Sequence, residues 1–461
     1  MGIFIYMPDL SRKNFLRLSS TLAAGMLTAK PGHALSSIFA PAADGLMGHR
    51  FLTFNCVIRV NQIEVSRDRN VGEDERSLHT PARMRAFRDA VTAGFPGAKM
   101  TWAFSWLALN DTSDNYTQMR ELARDYHHQY GDDVTFIPGA YFANAYNPTD
   151  QVNKDLRDGL ALAAGIVGKG YRPTSVVAGF LSAKNMQYLA EQEGIHVCQG
   201  NIWSQFSIDN QDGDGSVCYP YYPSKEHFCK PAQGEADFID CVNLDGWTVD
   251  FLAGRRNGFA ENFNSRMGVG PIETIHKYGE ATGLKEMIHS TAIHFDSGFE
   301  MNKFAWVTNC WELSLPIDVS GLTKWLSAIK SRWPDTRMIT QGEFGLIWRK
   351  HYKRNTFDYR FVERGSGIGG SDADKEIRWF MNKDFRLALL RGTDGTSQEK
   401  VIDLTRYDVP AKEPAAMTRS WSLMGEINQK GTRPQDAPVA IDKLSAEDRK
   451  IICRRVKEVC S

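Results

Sequence analysis

The stretch that decides the fold is residues 51–67, FLTFNCVIRVNQIEVSR, in which an apolar run passes directly into a polar cluster. Residues 51–58 carry no charge and have the short apolar character of a buried strand. From Arg59 onward, polar side chains alternate with branched apolar ones, and a surface loop does not need such alternation. The junction predicts a core strand that ends in a group of functional polar residues.

Short apolar runs and amphipathic stretches alternate from this first strand to about residue 348. That order favours a parallel sheet with helices outside it, and seven or eight such units favour a (β/α)7-8 barrel. The predicted strands are 52–58, 99–104, 134–138, 175–180, 195–200, 239–244, 304–309 and 338–341. The predicted helices are 81–93, 115–130, 151–167, 183–193, 271–282 and 320–331, the first capped by Thr80.

The pattern divides the chain into four parts. Residues 1–34 are predicted to be an export signal, and residues 48–350 to be the barrel, with an insertion at 201–270 rich in glycine, proline, aspartate and aromatic residues. Short strands separated by turns then predict a small antiparallel β domain at 352–435, followed by a C-terminal helix within 440–461.

The first 34 residues have the features of a targeting segment. A basic start precedes an apolar run at 18–29, and small residues surround a cleavage point near Ala34. SRKNFL resembles the twin-arginine export signal, with Lys13 in place of the second arginine. We expect an exported protein, periplasmic or extracellular, with no integral membrane segment after signal removal; an amphipathic first helix is the alternative.

Charge and composition limit the classes of binding partner that this chain can have. Lysine plus arginine and aspartate plus glutamate both number 55, so no basic field is available to hold nucleic acid. The 11 Trp, 15 Tyr and 25 Phe pack cores, but such rings also stack on sugars. The aromatic residues keep a poly- or oligosaccharide in view as the partner, and the charge balance predicts no nucleic-acid partner.

All eight cysteines follow the predicted signal, which permits disulfides in an exported protein. Cys198, Cys218, Cys229 and Cys241 could form two bridges or remain buried thiols. Two further cysteines at 453 and 460 lie two turns apart on the predicted last helix, so they cannot bridge unless its end unwinds.

Catalytic groups of a parallel barrel lie where its strands end. Carboxylates and a histidine occupy such positions, although strand-end acids also cap helices and pair with arginines. The candidate catalytic residues are Glu64, His79, Asp245, Glu312 and Glu343. The candidate substrate-binding residues are Arg59, Asn61, Arg67, Trp106, Tyr141, Asn144, Trp203 and Trp247.

The chain contains no common cofactor or zinc motif, so no cofactor is expected. His294, Asp296 and Glu300 lie close together in AIHFDSGFE, but their spacing matches no ligand motif. A divalent metal stays as the alternative.

Four segments in order, FLTFN, HTPARMRAFRDAVTAGFPGAKMTWAF, VTFIPGAYFANAY and GYRPTSVVAGF, resemble the NodB-type polysaccharide deacetylase barrel of the glycoside hydrolase/deacetylase superfamily. The resemblance covers about residues 50–350 and is nearest to an exported bacterial branch with a C-terminal β domain. It implies an enzyme acting on a glycan.

Two departures from that family concern its metal site. Asn55 and Cys56 stand where the family has two aspartates, and residues 141–146 hold no histidine pair. We therefore predict a hydrolytic enzyme that acts on a glycan without the standard deacetylase metal. One candidate reaction is removal of an N- or O-acyl group at a non-standard site around His79 and Glu64. The alternatives are a glycoside hydrolase, with Glu343 and either Asp245 or Glu64 as its carboxylate pair, and a barrel that only binds glycan.

Overall fold

The computed structural model describes residues 45–67, 70–179, 181–201, 215–247, 250–252, 274–275, 278–315, 319–421, 423, 427 and 438–460. Within these ranges the strands are β1 (Arg50–Ile58), β2 (Asn61–Glu64), β3 (Asn70–Asp74), β4 (Thr101–Phe104), β5 (Asp133–Phe136), β6 (Val176–Val177), β7 (Val197–Asn201), β8 (Val242–Asp245), β9 (Ala305–Glu312), β10 (Arg337–Met338), β11 (Asp358–Arg364), β12 (Lys375–Asn382), β13 (Phe385–Gly392), β14 (Lys400–Arg406) and β15 (Val439–Ala440). The α-helices are α1 (Pro81–Gly94), α2 (Trp106–Asn110), α3 (Asp114–Tyr130), α4 (Ala143–Tyr146), α5 (Thr149–Val167), α6 (Ala183–Tyr188), α7 (Glu280–Ala292), α8 (Phe299–Asn302), α9 (Val319–Arg332), α10 (Gln341–His351) and α11 (Ala446–Arg455).

A five-stranded parallel sheet is centred on β1. β9 pairs with β1 along nearly its whole length, from Arg50 against Ala305 to Val57 against Glu312. The other edge of β1 is shared by β10 at its start and β4 at its end, and β5 follows β4. A strand covered on both edges and both faces requires an almost continuous apolar sequence, which is what residues 51–58 supply.

A second parallel sheet consists of β6, β7 and β8. Helix α10 packs against both sheets: Phe344 lies 4.9 Å from Trp306 and 5.1 Å from Phe51, measured between ring centroids. On its other side, Gly345 is so close to β7 that a Cβ there would come within 2.4 Å of the Val197 side chain. These contacts involve the N-terminal ends of the strands, so α10 fills that end of the space between the sheets.

The predicted parallel α/β architecture is confirmed, and all eight predicted strands overlap observed ones. Closure into a barrel stays a prediction. Thr80 caps α1 as expected, because its hydroxyl accepts a hydrogen bond from the Arg83 backbone N–H at 3.2 Å. Of the predicted helix 271–282, positions 271–273 and 276–277 lie outside the described residues, and α7 begins at Glu280.

The polar stretch after β1 is a hairpin of β2 and β3 rather than a loop. Alternation accounts for its first three residues, since Gln62 is exposed between buried Asn61 and Ile63, and Glu64 is buried as well. The Glu75 backbone N–H donates to the Val60 carbonyl at 2.8 Å and so returns the chain to the end of β1. The hairpin thereby brings residue 75 back beside residue 59.

Strands β11–β15 form the predicted antiparallel sheet of the C-terminal region. Whereas some of its residues, such as Phe385, form a second core with Ile452 of α11, others share the hydrophobic core of the parallel sheets. Trp379 of β12, for example, packs edge to face on Trp247 with ring centroids 4.4 Å apart. The predicted export signal and part of the predicted insertion, at 202–214, 248–249 and 253–270, lie outside the described residues.

The disulfide of the described residues joins Cys453 and Cys460, with Cα atoms 5.7 Å apart. The prediction of one helix through both cysteines is wrong, because α11 ends at Arg455 and a separate 3-10 turn begins at Lys457. The alternative of buried thiols holds for Cys198, Cys218, Cys229 and Cys241, which are all unbridged and buried.

Candidate active site

Arg59 organises the polar residues at the C-terminal ends of β1 and β9. Its Nε and Nη2 atoms donate to the two Glu75 carboxylate oxygens at 2.7 and 2.8 Å. Its Nη1 and Nη2 atoms donate to the two Glu312 oxygens at 3.2 and 2.9 Å. The guanidinium side chain is only 3 % exposed, so two buried two-pronged ion pairs share one cation.

The charges of this cluster are fixed by its hydrogen bonds. Burial alone raises the pKa of Glu75, but hydrogen bonds from His79 and Arg59 outweigh it and lower the pKa to about 2. The pKa of Arg59 is raised, because attraction to Glu312 and Glu75 exceeds the opposing effect of burial. Glu75 and Arg59 are therefore both charged at neutral pH.

His79 lies just before α1 with its ring fully buried. Its Nε2 is 3.3 Å from a Glu75 oxygen, and its Nδ1 has no hydrogen-bond partner among the described residues. Burial lowers the pKa of His79 more than the neighbouring Glu75 carboxylate raises it. A neutral His79 consequently orients Glu75 and lies behind the cluster rather than at its surface.

Tyr141 reaches the same cluster through a strained turn after β5. Gly139, Ala140 and Tyr141 have φ angles of +60°, +48° and +88°, and such angles cost a non-glycine residue roughly 1–3 kcal/mol. The Tyr141 Oη lies 3.2 Å from Cys310 Sγ, and the Arg59 guanidinium carbon lies 5.7 Å from the ring centroid. Burial, Cys310 and Glu312 raise the pKa of Tyr141, so its hydroxyl stays protonated.

Register explains why Cys310 and Glu312 lie together. They are two residues apart in β9, so their side chains point to the same face of the sheet. Cys310 is opposite Asn55 of β1, and Glu312 is opposite Val57. The Glu312 side chain is 14 % exposed and Cys310 is partly exposed. We name Arg59, Glu75, His79 and Glu312 the mouth cluster, because Glu312 gives it access to the surface.

Glu64 is held separately at the start of α2. One of its oxygens accepts from the Leu107 backbone N–H at 3.2 Å, and the residue is 2 % exposed. Burial raises its pKa to about 7, although hydrogen bonds from Ser105 and nearby backbone groups partly oppose it. Glu64 is thus a carboxyl group that titrates near neutral pH.

Arg67, after β2, and Trp106, the first residue of α2, contact each other. The Arg67 guanidinium carbon lies 3.8 Å from the Trp106 ring centroid, while its nitrogens donate to Asp155 at 2.6 Å and Asp158 at 2.7 Å. The predicted substrate-binding arginine is therefore paired with two carboxylates. Asn61 is buried in β2, and Asn144 is bonded to Asn185 at 2.7 Å.

Glu343 does not join the candidate site. It completes the N-terminal capping box of α10 with Thr340 and forms an ion pair with Lys99. Lys99 precedes β4, whereas the mouth cluster follows the ends of β1 and β9. The pairing of Glu343 with Asp245 or Glu64 stays a prediction, and the contacts of Glu343 with Thr340 and Lys99 do not support it. β10 pairs with the start of β1, away from the strand ends that carry the mouth cluster.

Two other predicted residues occupy the interior instead. Asp245 ends β8 and is 1 % exposed, where it accepts from Tyr221 Oη at 3.3 Å. Trp247 is fully buried, and the rings of Phe361 and Trp379 pack edge to face against it. Its indole is thus core and cannot be a platform for sugar. Trp203 lies outside the described residues.

Glu75 and Cys310 were missed by sequence reasoning. Glu75 falls in the charged run GEDER, where neighbouring acids give it no distinction, and only the hairpin return brings it to Arg59. Cys310 stands two residues before Glu312, and this spacing of two in a strand could have placed both on one face.

The described residues do not fit the metal site of the deacetylases. They contain no group of three histidine, cysteine, aspartate or glutamate side chains able to hold a metal ion. His79 is committed to Glu75, and Asn55 and Cys56 lie inside β1. Within the same ranges, the helices are too short or too polar to cross a membrane.

Comparisons with known proteins place this geometry in context. A crystal structure from Parabacteroides distasonis, described provisionally as a glycoside hydrolase/deacetylase, is 47 % identical, covers 90 % of this chain and 99 % of its own, and has a TM-score of 0.84. A Pseudomonas aeruginosa structure, described provisionally as a polysaccharide deacetylase, is 10 % identical, covers 67 % of this chain and 93 % of its own, and has a TM-score of 0.41.

A curated relative also matches part of the sequence. LL-diaminopimelate aminotransferase of Gloeobacter violaceus is 27 % identical over 187 residues, which are 39 % of this chain and 42 % of the enzyme. The chain therefore spans less than half of that relative.

Two family matches cover most of the chain. Residues 386–459 match a second domain of unknown function with a solved structure, DUF3864. Residues 44–381 match a domain of unknown function with a solved structure, DUF3863. The DUF3863 match covers well over half of the 461 residues, so the chain belongs to the DUF3863 family.

Proposed function

We propose that this chain is an exported hydrolase that removes an acyl group from a glycan, on a barrel-type arrangement of its parallel strands and without the standard deacetylase metal. The observation that carries the proposal is the position of Glu312, a partly exposed carboxylate fixed by Arg59 at the C-terminal end of β9. The Tyr141 hydroxyl contacts Cys310, two residues before it on the same strand, and the Glu312 charge raises the pKa of Tyr141. The glycoside hydrolase/deacetylase description of the 47 % identical relative supports a carbohydrate substrate.

The proposed chemistry uses groups already in place. Glu312 accepts a proton from water, and the water oxygen attacks the acyl carbon. The Tyr141 O–H donates a hydrogen bond to the acyl oxygen as that oxygen gains negative charge. When the bond to the sugar oxygen or nitrogen breaks, the proton on Glu312 passes to that leaving atom. Arg59, itself held by Glu75, keeps Glu312 in position throughout.

One observation favours a glycosidase as the second candidate. A glycosidase needs a carboxyl group that is still protonated near neutral pH, and Glu64 has a pKa raised to about 7 by burial. Glu75 cannot fill that role, since its pKa is lowered to about 2. Glu64 and Glu312 would then be the acid and the base.

The full-length chain should be incubated with a panel of acetylated oligosaccharides, and free acetate and new reducing ends measured separately. We expect acetate release that survives chelator treatment. Glu312→Gln should lower it by about 100-fold to 10,000-fold, the usual contribution of a general base. Glu300→Gln, a change at an exposed residue, should leave the rate unchanged.

Reducing ends without acetate would reject deacylation and favour the glycosidase. Binding of the oligosaccharides without either product would favour the non-catalytic alternative. Loss of acetate release on chelation would contradict the metal-free mechanism.

Export is part of the proposal because of the N-terminal pattern and the Cys453–Cys460 disulfide, which is the kind of bond that persists in oxidising compartments. Cell fractionation with N-terminal sequencing should find a chain that begins near residue 35. A full-length chain retained in the cytoplasm would contradict this part.

A further inference from the structure

Gln199 combines two costly features that the candidate mechanism does not use. It lies in β7 with a φ of +77°, next to a register irregularity between residues 199 and 201. A non-glycine residue in that conformation costs roughly 1–3 kcal/mol, and bulges of this kind are common beside active sites. Strain at the end of a parallel strand therefore points to a role for this side chain.

The side-chain amide of Gln199 has unmet hydrogen-bonding capacity. The residue is fully buried, yet neither its Oε1 nor its Nε2 has a hydrogen-bond partner among the described residues. An unpaired buried polar atom costs roughly 1–3 kcal/mol. The Ser175 Oγ and the Gln341 Oε1 are also buried without a partner in those residues.

The backbone at this position is fixed, in contrast to the side chain. The Gln199 carbonyl accepts from Gln341 Nε2 at 2.9 Å and from the Ala178 N–H at 3.3 Å. Gln341 also donates through its backbone N–H to Thr101 Oγ1 at 3.2 Å, and so links β7 to the five-stranded sheet. A rigid backbone with an unsatisfied amide is the arrangement of a preorganised binding group.

The location of Gln199 agrees with a binding role. Helix α10 fills the space between the sheets at the level of Val197, two residues before Gln199. Gln199 lies two residues further along β7, level with Gln341, the first residue of α10, whose Nε2 bonds the Gln199 carbonyl. In the five-stranded sheet, Thr101, Asn55 and Cys310 share one row, so the Thr101 that Gln341 contacts is in register with the cysteine beside Tyr141.

We propose that Gln199 is a substrate-positioning residue whose amide binds two neighbouring hydroxyl groups of the sugar. Its Oε1 would accept from one hydroxyl and its Nε2 would donate to the other. The unpartnered amide oxygen of the neighbouring Gln341 is neutral, which suits a neutral ligand better than a carboxylate or phosphate. The inference rests on the proposed function, since it names how the same site holds its glycan.

The test replaces Gln199 by methionine, which has a similar length and no hydrogen-bonding amide. In the absence of glycan, Gln199→Met should raise the melting temperature, because it removes an unpaired buried polar group. With glycan, it should raise KM by about 10-fold and change kcat by less than about twofold. Gln118→Met, at an exposed position of α3, is the matched control and should change neither quantity.

A lower melting temperature together with an unchanged KM would overturn the inference, since the amide would then be a structural group bonded to buried water. The wild-type chain could hydrolyse no glycan. In that case affinity electrophoresis in glycan-containing gels separates failure of the proposed hydrolysis from failure of the proposed role of Gln199. Glycan binding that Gln199→Met weakens would retain the positioning role and reject only the hydrolysis. Equal binding by both chains would reject the positioning role, and no binding by the wild type would reject both.

Discussion

Two groups of buried acidic side chains in this protein differ in how their negative charge is compensated. The mouth cluster places Glu75 and Glu312 on the two edges of the Arg59 guanidinium. The second group consists of Asp250, Glu286 and Glu363, which we name the junction cluster because it lies where α7 meets β11 of the C-terminal sheet. Each of its residues is at most 1 % exposed.

Within the described part of the chain, the two glutamates of the junction cluster have no compensating cation. Glu363 accepts from the Leu252 backbone N–H at 3.3 Å and from Trp379 Nε1 at 3.0 Å, and no described lysine or arginine contacts Glu363 or Glu286. Burial and the charge of Asp250 raise the pKa of Glu286 to about 9. The same two causes raise the pKa of Glu363.

The difference shows that burial by itself does not decide the charge of a carboxyl group. Both clusters are desolvated, and desolvation raises the pKa in both. At the mouth, one arginine and one histidine reverse that effect for Glu75, so the negative charge is kept where a substrate can meet it. At the junction the same residue type stays protonated and serves packing.

The largest effect should come from removing the shared cation. Arg59→Met leaves Glu75 and Glu312 without their partner, and we expect the free energy of unfolding to fall by about 3–5 kcal/mol. Urea unfolding at pH 7 measures it. Arg67→Met, at a more exposed arginine that also pairs with two carboxylates, is the control and should cost far less. Equal losses would show that the mouth cluster is not specially dependent on its arginine.

The second prediction concerns the junction cluster and its pH dependence. The folded-state pKa of Glu286 lies at about 9, above the ordinary 4.5, so the folded chain holds a proton that the unfolded chain releases. The stability contribution of Glu286 should therefore decline as pH rises from about 4.5 to about 9. Glu286→Gln should remove this decline and raise the free energy of unfolding at pH 8 by on the order of 2 kcal/mol.

Urea unfolding at pH 5 and pH 8 tests this prediction, with Glu300→Gln as an exposed control on the neighbouring α8. A Glu286→Gln variant that is less stable than the wild type at pH 8 would mean that Glu286 is ionised and paired, and the contrast between the clusters would disappear.

The smallest effect belongs to an ion pair of the same chemistry at the surface. Lys99 and Glu343 form an ion pair, but their side chains are 37 % and 40 % exposed. We expect Lys99→Met to change the free energy of unfolding by less than about 1 kcal/mol and to leave turnover unchanged. Thermal unfolding with and without 1 M salt measures it. A loss as large as that of Arg59→Met would show that burial is not what separates the two pairs.

Some residues of the candidate site could be predicted from the sequence immediately around them. Arg59 and Glu312 were predicted because each directly follows or ends an apolar strand, and parallel strands bring such ends to one edge. Glu343 has the same local pattern. However, β10 has only two residues and pairs with the start of β1, so it ends near the N-terminal ends of the neighbouring strands and not near their C-terminal ends. Strand length and register decide that difference, and neither follows from hydrophobic pattern.

The sequence by itself determined the alternation of strands and helices, the antiparallel C-terminal sheet, the Thr80 cap and the polar character of the first strand's end. These features depend on side chains within a few positions of one another, and local periodicity records them. Only the tertiary structure decided that Arg59 joins Glu75 to Glu312 across 253 positions, that Trp247 is core, and which acids keep their charge. Those outcomes depend on desolvation and on contacts between distant segments, because a carboxyl group's neighbours exist only once the chain has folded.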